Sequence, residues 1–353
     1  MPMQKKIDFI IVGQGLAGSL LAIELINRGA SILIIDQHHQ HSASKVAAGL
    51  LNPLTGKRLS LHPLTDQFLA AANQLYKSLE EKFSAFFLHN VPMLRLLKDQ
   101  QQFETLQKKI SDPALTDYLA SANTEDKQKW QIPFGAVKQL KTGYLDIPLL
   151  LASLKDYFTE KNALILDHFD YQDIQLTEKD LYWKDYRAKC CIFCEGYQAI
   201  NNPWFSFLPF QPAKGEILTL ESDEIDTSYI INRGNWLIPI GNKQYRCGST
   251  NEWTFLNDEP TSDGKQHIET QLNQLFKTKP QYTVTQHHAG IRPATRDKNP
   301  FIGRHPQRQT LAMFNGFGAR GSLTIPYYAA MFAEHLQQEK PLTDNINIKR
   351  YYS

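Results

Sequence analysis

The chain has 353 residues, 42% of them hydrophobic, and its 38 Lys and Arg against 36 Asp and Glu leave a formal charge of +2. That length exceeds what one hydrophobic core usually organises, so two domains are expected. The near-neutral balance gives no electrostatic case for a nucleic acid or an anionic membrane, although a local patch can hide in a balanced total.

The start, "MPMQKKIDFIIVG", imitates a signal peptide until Asp8 interrupts it and a glycine turn follows. No stretch approaches transmembrane length, so a cytoplasmic protein without membrane insertion is expected. "KIDFIIVG" is a short apolar run ending at glycine, the pattern of a buried parallel strand. "GQGLAGSLLAIELINRG" continues with helical spacing to a stop at Gly29, and "SILIID" is a second buried strand ending at Asp36. Together these make a βαβ unit. Residues 66 to 111, from "DQFLAAANQLYKSLEEKF" through "QQFETLQKKI", read as helical text. A helix over "GYLDIPLLLASLKDYFTEKN", a strand at "ALILDHF", a polar hairpin-like stretch and the buried strand "KCCIFCEG" resume the helix-then-strand alternation.

The four cysteines, Cys190, Cys191, Cys194 and Cys247, are no disulfide framework and fit a reducing compartment. "CIFC" has the spacing of redox or zinc sites, but no second pair follows, and free cysteines are common core residues. Next, "GEILTLE" and "SYIINRGNWLIPIGNKQYRCGST" read as short antiparallel strands meeting at "RGN" and "GN" turns. A helix around "KQHIETQLNQLF" carries Ile268, Leu272, Leu275 and Phe276 on one face and is closed by Pro280. "TLAMFNGFGARGSLTIPYYAAMFAEHL" is again strand, glycine turn, helix. The expected fold is therefore α/β plus α+β. A discontinuous Rossmann-like domain takes residues 1–85, 149–210 and 298–353, and a domain with a mostly antiparallel sheet takes the insertions 86–148 and 211–297.

In "GQGLAG", Gly13 permits the tight turn, Gly15 lets backbone approach a pyrophosphate, and Gly18 lets helix and strand pack closely. Asp36 stands where an acid accepts from ribose hydroxyls, which argues against NADP and leaves FAD and NAD open. His38, His39 and His41 follow without a carboxylate or cysteine at ligand spacing, so a solvated loop is favoured over a metal cluster. In "SASKVAAGLLNP", Ser42 and Ser44 can bond phosphate, and Ala47, Ala48 and Gly49 permit close approach to a flat ring; a helix start with small residues would look the same. "AGIRPATRDKNPFIG" is stiffened by Pro293 and Pro300 and presents Arg292 and Arg296. It either aims an arginine at an anion or is a surface turn with arginine–carboxylate pairs.

Taken in order, the glycine turn with its strand-end acid, "SASKVAAGLLNP", "FCEG", "GIRPATRDKNPFIG" and "NGFGARGSL" resemble the D-amino-acid oxidase and glycine oxidase family of FAD-dependent oxidoreductases. "GIRPATRD" and "GARGSL" also resemble the FAD oxidoreductase half of the bifunctional enzyme that makes 5-methylaminomethyl-2-thiouridine in tRNA. The resemblance implies a two-domain flavoprotein that oxidises a C–N bond of a small amine or amino acid by hydride transfer to flavin N5, giving an imine that water hydrolyses. FAD roles then fall to Gly13, Gly15, Gly18 and Asp36 on the ADP side, and to Ser44, Lys45, Ala48, Gly49 and Leu50 along pyrophosphate and flavin. Tyr171 would present backbone to adenine, Gly196 would lie near the cofactor, and Gly318, Arg320, Gly321 and Ser322 would approach the ribityl chain and the pyrimidine edge.

Arg292 matches the family arginine that holds the substrate carboxylate. Arg296 and Arg304 have no such match and are expected to pair structurally, with Asp297 as one partner. Arg320 would either stabilise negative charge on the reduced flavin or form a salt bridge to an unseen acid. No cysteine follows Cys247 where relatives attach flavin covalently, so FAD is expected to be non-covalent, and no metal is expected. Tyr229 and Tyr245 are candidates for substrate contact only by lying in the antiparallel section. Two other readings stay open. One is a tRNA wobble-uridine enzyme removing a carboxymethyl group, unsupported by net charge; the other is a non-enzymatic flavin-binding module with Arg292 paired internally.

Overall fold

The computed structural model describes residues 4–37, 42–56, 58–122 and 129–352. The opening unit forms as its pattern predicts, with β1 (Lys5–Val12), α1 (Leu16–Asn27) and β2 (Ile32–Asp36). α1 is apolar nearly all round because it is enclosed, with the sheet on one side and later helices on the other. A helical turn α2 (Ala43–Val46) and short strands β3 (Leu50–Leu51), β4 (Leu54–Thr55) and β5 (Ser60–Leu61) lead to the long helix α3 (Thr65–Phe83).

The helical reading of 66–111 then fails in its middle. The chain forms β6 (Leu88–Asn90) and β7 (Met93–Leu96) before α4 (Gln100–Lys109). Pro92 removes a helical donor there, and Met93, Leu94 and Leu96 are all buried, as a strand between two layers requires. Strands β8 (Leu119–Ser121), β9 (Ala136–Gln139) and β10 (Gly143–Leu145) precede α5 (Ile147–Glu160). The chain continues through β11 (Leu164–Leu166), β12 (Ile174–Leu176), β13 (Leu181–Trp183) and β14 (Tyr186–Phe193). The antiparallel run is β15 (Ala213–Glu221), β16 (Ile230–Asn232), β17 (Trp236–Gly241) and β18 (Gln244–Gly248). α6 (Ser262–Asn273), β19 (Thr283–Arg292), β20 (Phe301–Arg304), β21 (Leu311–Asn315) and α7 (Gly321–Gln338) complete the order.

One sheet runs β11-β2-β1-β14-β13-β12, with β21 parallel to β14 and β20 beside it. Its parallel centre is apolar on both faces. α1, α3, α5 and α7 cover one side, and an aromatic cluster including Phe169, Trp183, Phe193 and Phe205 covers the other. Cys190, Cys191 and Cys194 belong to these cores, and burial pushes the Cys190 thiol up to about 11. A second sheet runs β19-β15-β18-β17-β16-β7-β9-β8, antiparallel except where β16 meets β7. Its β17–β18 hairpin turns at Asn242 and Lys243, both at positive φ. α6 packs on the far face of this sheet through Ile268 and Leu272; it starts at the Thr261 cap, earlier than the sequence suggests. The strands β3, β10 and β6 form a small third sheet. No helix among the described residues is long and apolar enough to cross a membrane.

Candidate functional site

A cavity of about 720 Å³ opens where the glycine turn after β1 and the loops of the first sheet face the inner side of β15, β17 and β19. The turn is shaped by close approach. Gly13 has φ +104°, and a Cβ there would stand 2.6 Å from the Cys194 carbonyl oxygen. A Cβ at Gly18 would stand 2.0 Å from the Gly13 carbonyl oxygen, so helix and strand could not pack. The Gly13 amide donates to Ile35 and the Gln14 amide donates to Asp36 Oδ1 at 2.9 Å, which fixes the acid beside the turn. α1 starts at Gly15 without a side-chain cap, and its Leu16 amide donates to Ser44 Oγ at 3.1 Å. A helix start with little of its own to satisfy it is suited to phosphate oxygens.

Glu195 lines the same cavity just past β14. Its Oε1 accepts from the Tyr171 hydroxyl at 2.7 Å and its Oε2 from Asn202 Nδ2 at 2.9 Å. Burial still dominates and lifts the carboxyl to about 7.

The C-terminal glycine loop and the arginine loop meet directly, the Gly318 amide donating to the Pro293 carbonyl at 3.2 Å. Arg320 Nε and Nη2 are buried and have no hydrogen-bond partner among the described residues. The guanidinium lies 6.0 Å over the Phe68 ring, and burial holds its pKa below the usual arginine range. Among the described residues it forms no salt bridge to an acid. A buried cationic group left unpaired is costly, so a cavity wall that carries one is built for an electron-rich or anionic group.

Arg292, at the end of β19, is held differently. Nη1 donates to Asn251 Oδ1 at 2.9 Å, and Nη2 donates to Ser249 Oγ at 2.7 Å and to the Thr250 carbonyl at 3.4 Å. All these acceptors are neutral, and desolvation lowers its pKa. Room for the guanidinium comes from Gly215 in β15, where a Cβ would lie 2.0 Å from Nη2.

Of the residues singled out in the sequence, Gly13, Gly15, Asp36, Ser44, Lys45, Ala48, Gly49, Leu50, Tyr171, Gly196, Arg292, Gly318, Arg320, Gly321 and Ser322 all line this one cavity. Gly18 lies behind it, at the helix–strand contact. Tyr229 and Tyr245 do not line it. The Tyr245 hydroxyl donates to the Ile225 carbonyl inside the core under α6, and Tyr229 packs on that same core. Arg296 is exposed, and Asp297 pairs with Arg350 at 3.0 Å instead. Arg304 donates to the Gln309 and Leu336 carbonyls, since the ladder places it beside the chain and not beside an acid. His38, His39 and His41 lie outside the described residues; among the described ones, no group of three or more His, Cys, Asp or Glu is placed to hold a metal.

Several contributors escaped the sequence reading. They are Glu195, Gly215, Trp236, Ser249 and Asn251 on the wall, and Arg246, which donates to the Val46 and Ala47 carbonyls and ties the second sheet to α2. One signal was available. Gly215 and Gly290 are isolated glycines in strand text and sit opposite each other in the β15–β19 register, which marks close approach.

A family model described as "DAO: FAD dependent oxidoreductase" matches residues 8–335. The chain is 22% identical to the glycine oxidase of Geobacillus kaustophilus over 97% of its own length and 96% of the relative's. The crystal structure of glycine oxidase from Geobacillus kaustophilus superposes with a TM-score of 0.81 at 19% identity, over 96% of each chain. The tRNA 5-methylaminomethyl-2-thiouridine biosynthesis bifunctional protein MnmC of an Azoarcus species is 24% identical over 97% of this chain, which spans 59% of that protein. Iminodiacetate oxidase from Chelativorans sp. shares the fold, with a TM-score of 0.78 at 22% identity over 97% of this chain and 98% of that one. The unpaired Arg320 and the glycine-walled helix start are residues that fit FAD, and a family match across nearly the whole chain makes this protein a member of the DAO family of FAD-dependent oxidoreductases.

Proposed function

We propose that this oxidoreductase oxidises the C–N bond of a small amine or amino acid bearing a carboxylate, yielding an imine that water hydrolyses. The carrying observation is Arg292, a half-buried guanidinium on the cavity wall held only by neutral acceptors. Such a group retains its full charge for an incoming anion, and its planar fork suits a carboxylate. Bound FAD supplies the two-electron acceptor. The chain's own groups bind and orient. The glycine turn and Asp36 would hold the ADP side, Ser44, Lys45, Ala48, Gly49 and Leu50 would lie along the pyrophosphate and flavin, Tyr171 would present backbone to adenine, and Gly196 would lie near the cofactor. Gly318, Arg320, Gly321 and Ser322 would approach the ribityl chain and the pyrimidine edge, with Arg320 offering Nε and Nη2, which have no partner among the described residues. In this reading segments 1–85, 149–210 and 298–353 are the cofactor domain and 86–148 with 211–297 the substrate domain, whose share of the cavity wall comes almost wholly from 211–297.

A module that only binds flavin would have Arg292 paired internally; its partners are internal but all neutral, so its charge stays unmatched, which favours an incoming anion. Removal of a carboxymethyl group from tRNA would need a basic approach to the pocket. Lys45, Arg292 and Arg320 share the lining with Asp36, Asp167, Asp170, Glu195 and Asp258, which supports a small-molecule substrate instead. The test is anaerobic bleaching of the bound flavin by a panel of amino acids and N-carboxymethyl amines. Bleaching by carboxylate-bearing amines and not by their decarboxylated counterparts is expected; equal bleaching by both would remove the role of the carboxylate.

A further inference from the structure

We propose that Lys214 and Glu216 are positioning residues for the carboxylate grip, setting the Arg292 guanidinium through residues 249–261; the inference rests on Arg292 being that grip. The three residues "KGE" of β15 divide between the two faces of the sheet. Gly215 faces the cavity and receives the guanidinium, while Lys214 and Glu216 point the other way and are each 3% exposed. Lys214 Nζ donates to Asn257 Oδ1 at 2.7 Å and to the Glu259 carbonyl at 2.5 Å, and lies 3.6 Å from Glu216 Oε1. Glu216 accepts from the Thr261 amide and hydroxyl at 3.0 and 2.9 Å, and its Oε2 is 2.8 Å from His287 Nε2.

The backbone adds further ties. The Lys214 amide donates to the Glu252 carbonyl at 2.8 Å, the Glu252 amide donates back to the Lys214 carbonyl at 3.0 Å, and the Glu216 amide donates to Thr250 Oγ1 at 2.9 Å. Segment 249–261 is thus held to β15 from Thr250 to Thr261. Within it the contacts alternate: Thr250 and Glu252 bind β15, while the side chains of Ser249 and Asn251 accept from Arg292.

Burial of the segment's own side chains does little to fix it. Of its large apolar residues, Trp253 and Phe255 are 60% and 74% exposed and Leu256 is only half-buried. Nor is a buried Lys–Glu pair an efficient source of stability, because its desolvation cost offsets its attraction and apolar residues of equal volume would serve as well. What the pair adds is a defined geometry for a segment that would otherwise drift. That geometry orients the two side-chain acceptors and the Thr250 carbonyl, and they orient the fork.

The experiment uses the FAD-loaded enzyme, with acetate and benzoate as probes that perturb the visible flavin spectrum, on Lys214→Met, Glu216→Gln, Thr250→Val, Arg292→Met and Arg292→Lys. Flavin content should stay near parental in the first three, while the dissociation constant for carboxylate rises roughly tenfold in Lys214→Met and Glu216→Gln, as loss of a charged hydrogen bond does. KM for the bleaching substrate should rise with kcat little changed. In the Arg292→Lys background the added effect of Lys214→Met should shrink below about twofold, because a point charge has no fork to orient. Thr250→Val is nearly isosteric and decides the matter if the Lys214 variant does not fold; it should weaken carboxylate binding by roughly threefold or more. An unchanged carboxylate constant in Thr250→Val, or equal effects of Lys214→Met in both Arg292 backgrounds, would overturn the positioning role while leaving Arg292 as the grip. Undiminished carboxylate binding by Arg292→Met would instead remove the grip itself.

Discussion

Arg292 and Arg320 share one cavity wall and differ in how their charge is met, the first by neutral acceptors and the second by nothing among the described residues at Nε and Nη2. Substitution should separate them from a structural role. Arg292→Lys and Arg292→Met are expected to keep flavin content near parental, while kcat/KM for the carboxylate substrate falls, more in the Met variant. Loss of a buried charged hydrogen bond, roughly 2 to 4 kcal/mol, corresponds to a fall of about thirtyfold to a thousandfold. Steady-state kinetics beside flavin quantitation checks both parts. Glu195 gives a pH prediction. Burial raises its carboxyl from an ordinary 4.5 to about 7, so between those values the folded protein keeps a proton that the unfolded chain releases. Apoprotein stability should therefore fall as pH rises from 4.5 to about 7 and level off above, by at most about 3 kcal/mol. Glu195→Gln should flatten that slope in denaturant titrations at pH 5 and pH 8; an unchanged slope would assign it to other groups. The glycines, Asp36 and Arg292 were legible because each sits in a contiguous motif. Glu195, Ser249 and Asn251 were not, since each gains its place from a residue far along the chain, such as Tyr171 for Glu195 and Arg292 for the other two.

β15 makes the same point at the level of the element. Its strand character was readable from "GEILTLE", but which face each residue takes depends on β19 and β18 pairing on either side. Gly215→Ala tests the face directly. The added methyl meets the guanidinium and not backbone, so the fold should survive while Arg292 is displaced. Carboxylate binding should weaken by roughly tenfold or more with flavin content retained, measured by spectral titration. Retained binding would mean the guanidinium can shift without cost. The first βαβ unit could be read because its apolar periods are long and its turn chemistry is local. The β6–β7 stretch could not, because "FFLHNVPMLRLL" is short and apolar, and only its pairing with β10, β9 and β16 decides for strand over helix. Likewise Tyr245 alternates as a pocket residue would, yet its ladder turns it toward α6.

For the molecule as a whole, the cavity draws on the first turn, the middle and the last glycine loop, and on the second sheet through Gly215, Trp236 and Arg292. FAD should therefore stabilise the entire chain against unfolding, by about 2.7 kcal/mol at a hundredfold excess over Kd. A melting temperature that rises with added FAD in the apoprotein checks this, and an FAD-independent melt would count against a site shared by both sheets. The strand order of the first sheet also bears on how the protein is made. Ile10 lies beside Cys191, and Cys191 lies beside Leu311, so β14 takes partners from much earlier and much later in the chain. A nascent chain emerging from the ribosome can close β1 against β2 early, and β13 can cover the first half of β14, but the Cys191–Phe193 part of that edge stays open until β21 has been translated. Exposed parallel edges of this kind fold slowly and attract other chains. The cavity, which takes lining from the turn after β1 and from the loop after β21, is complete only once that last segment has emerged.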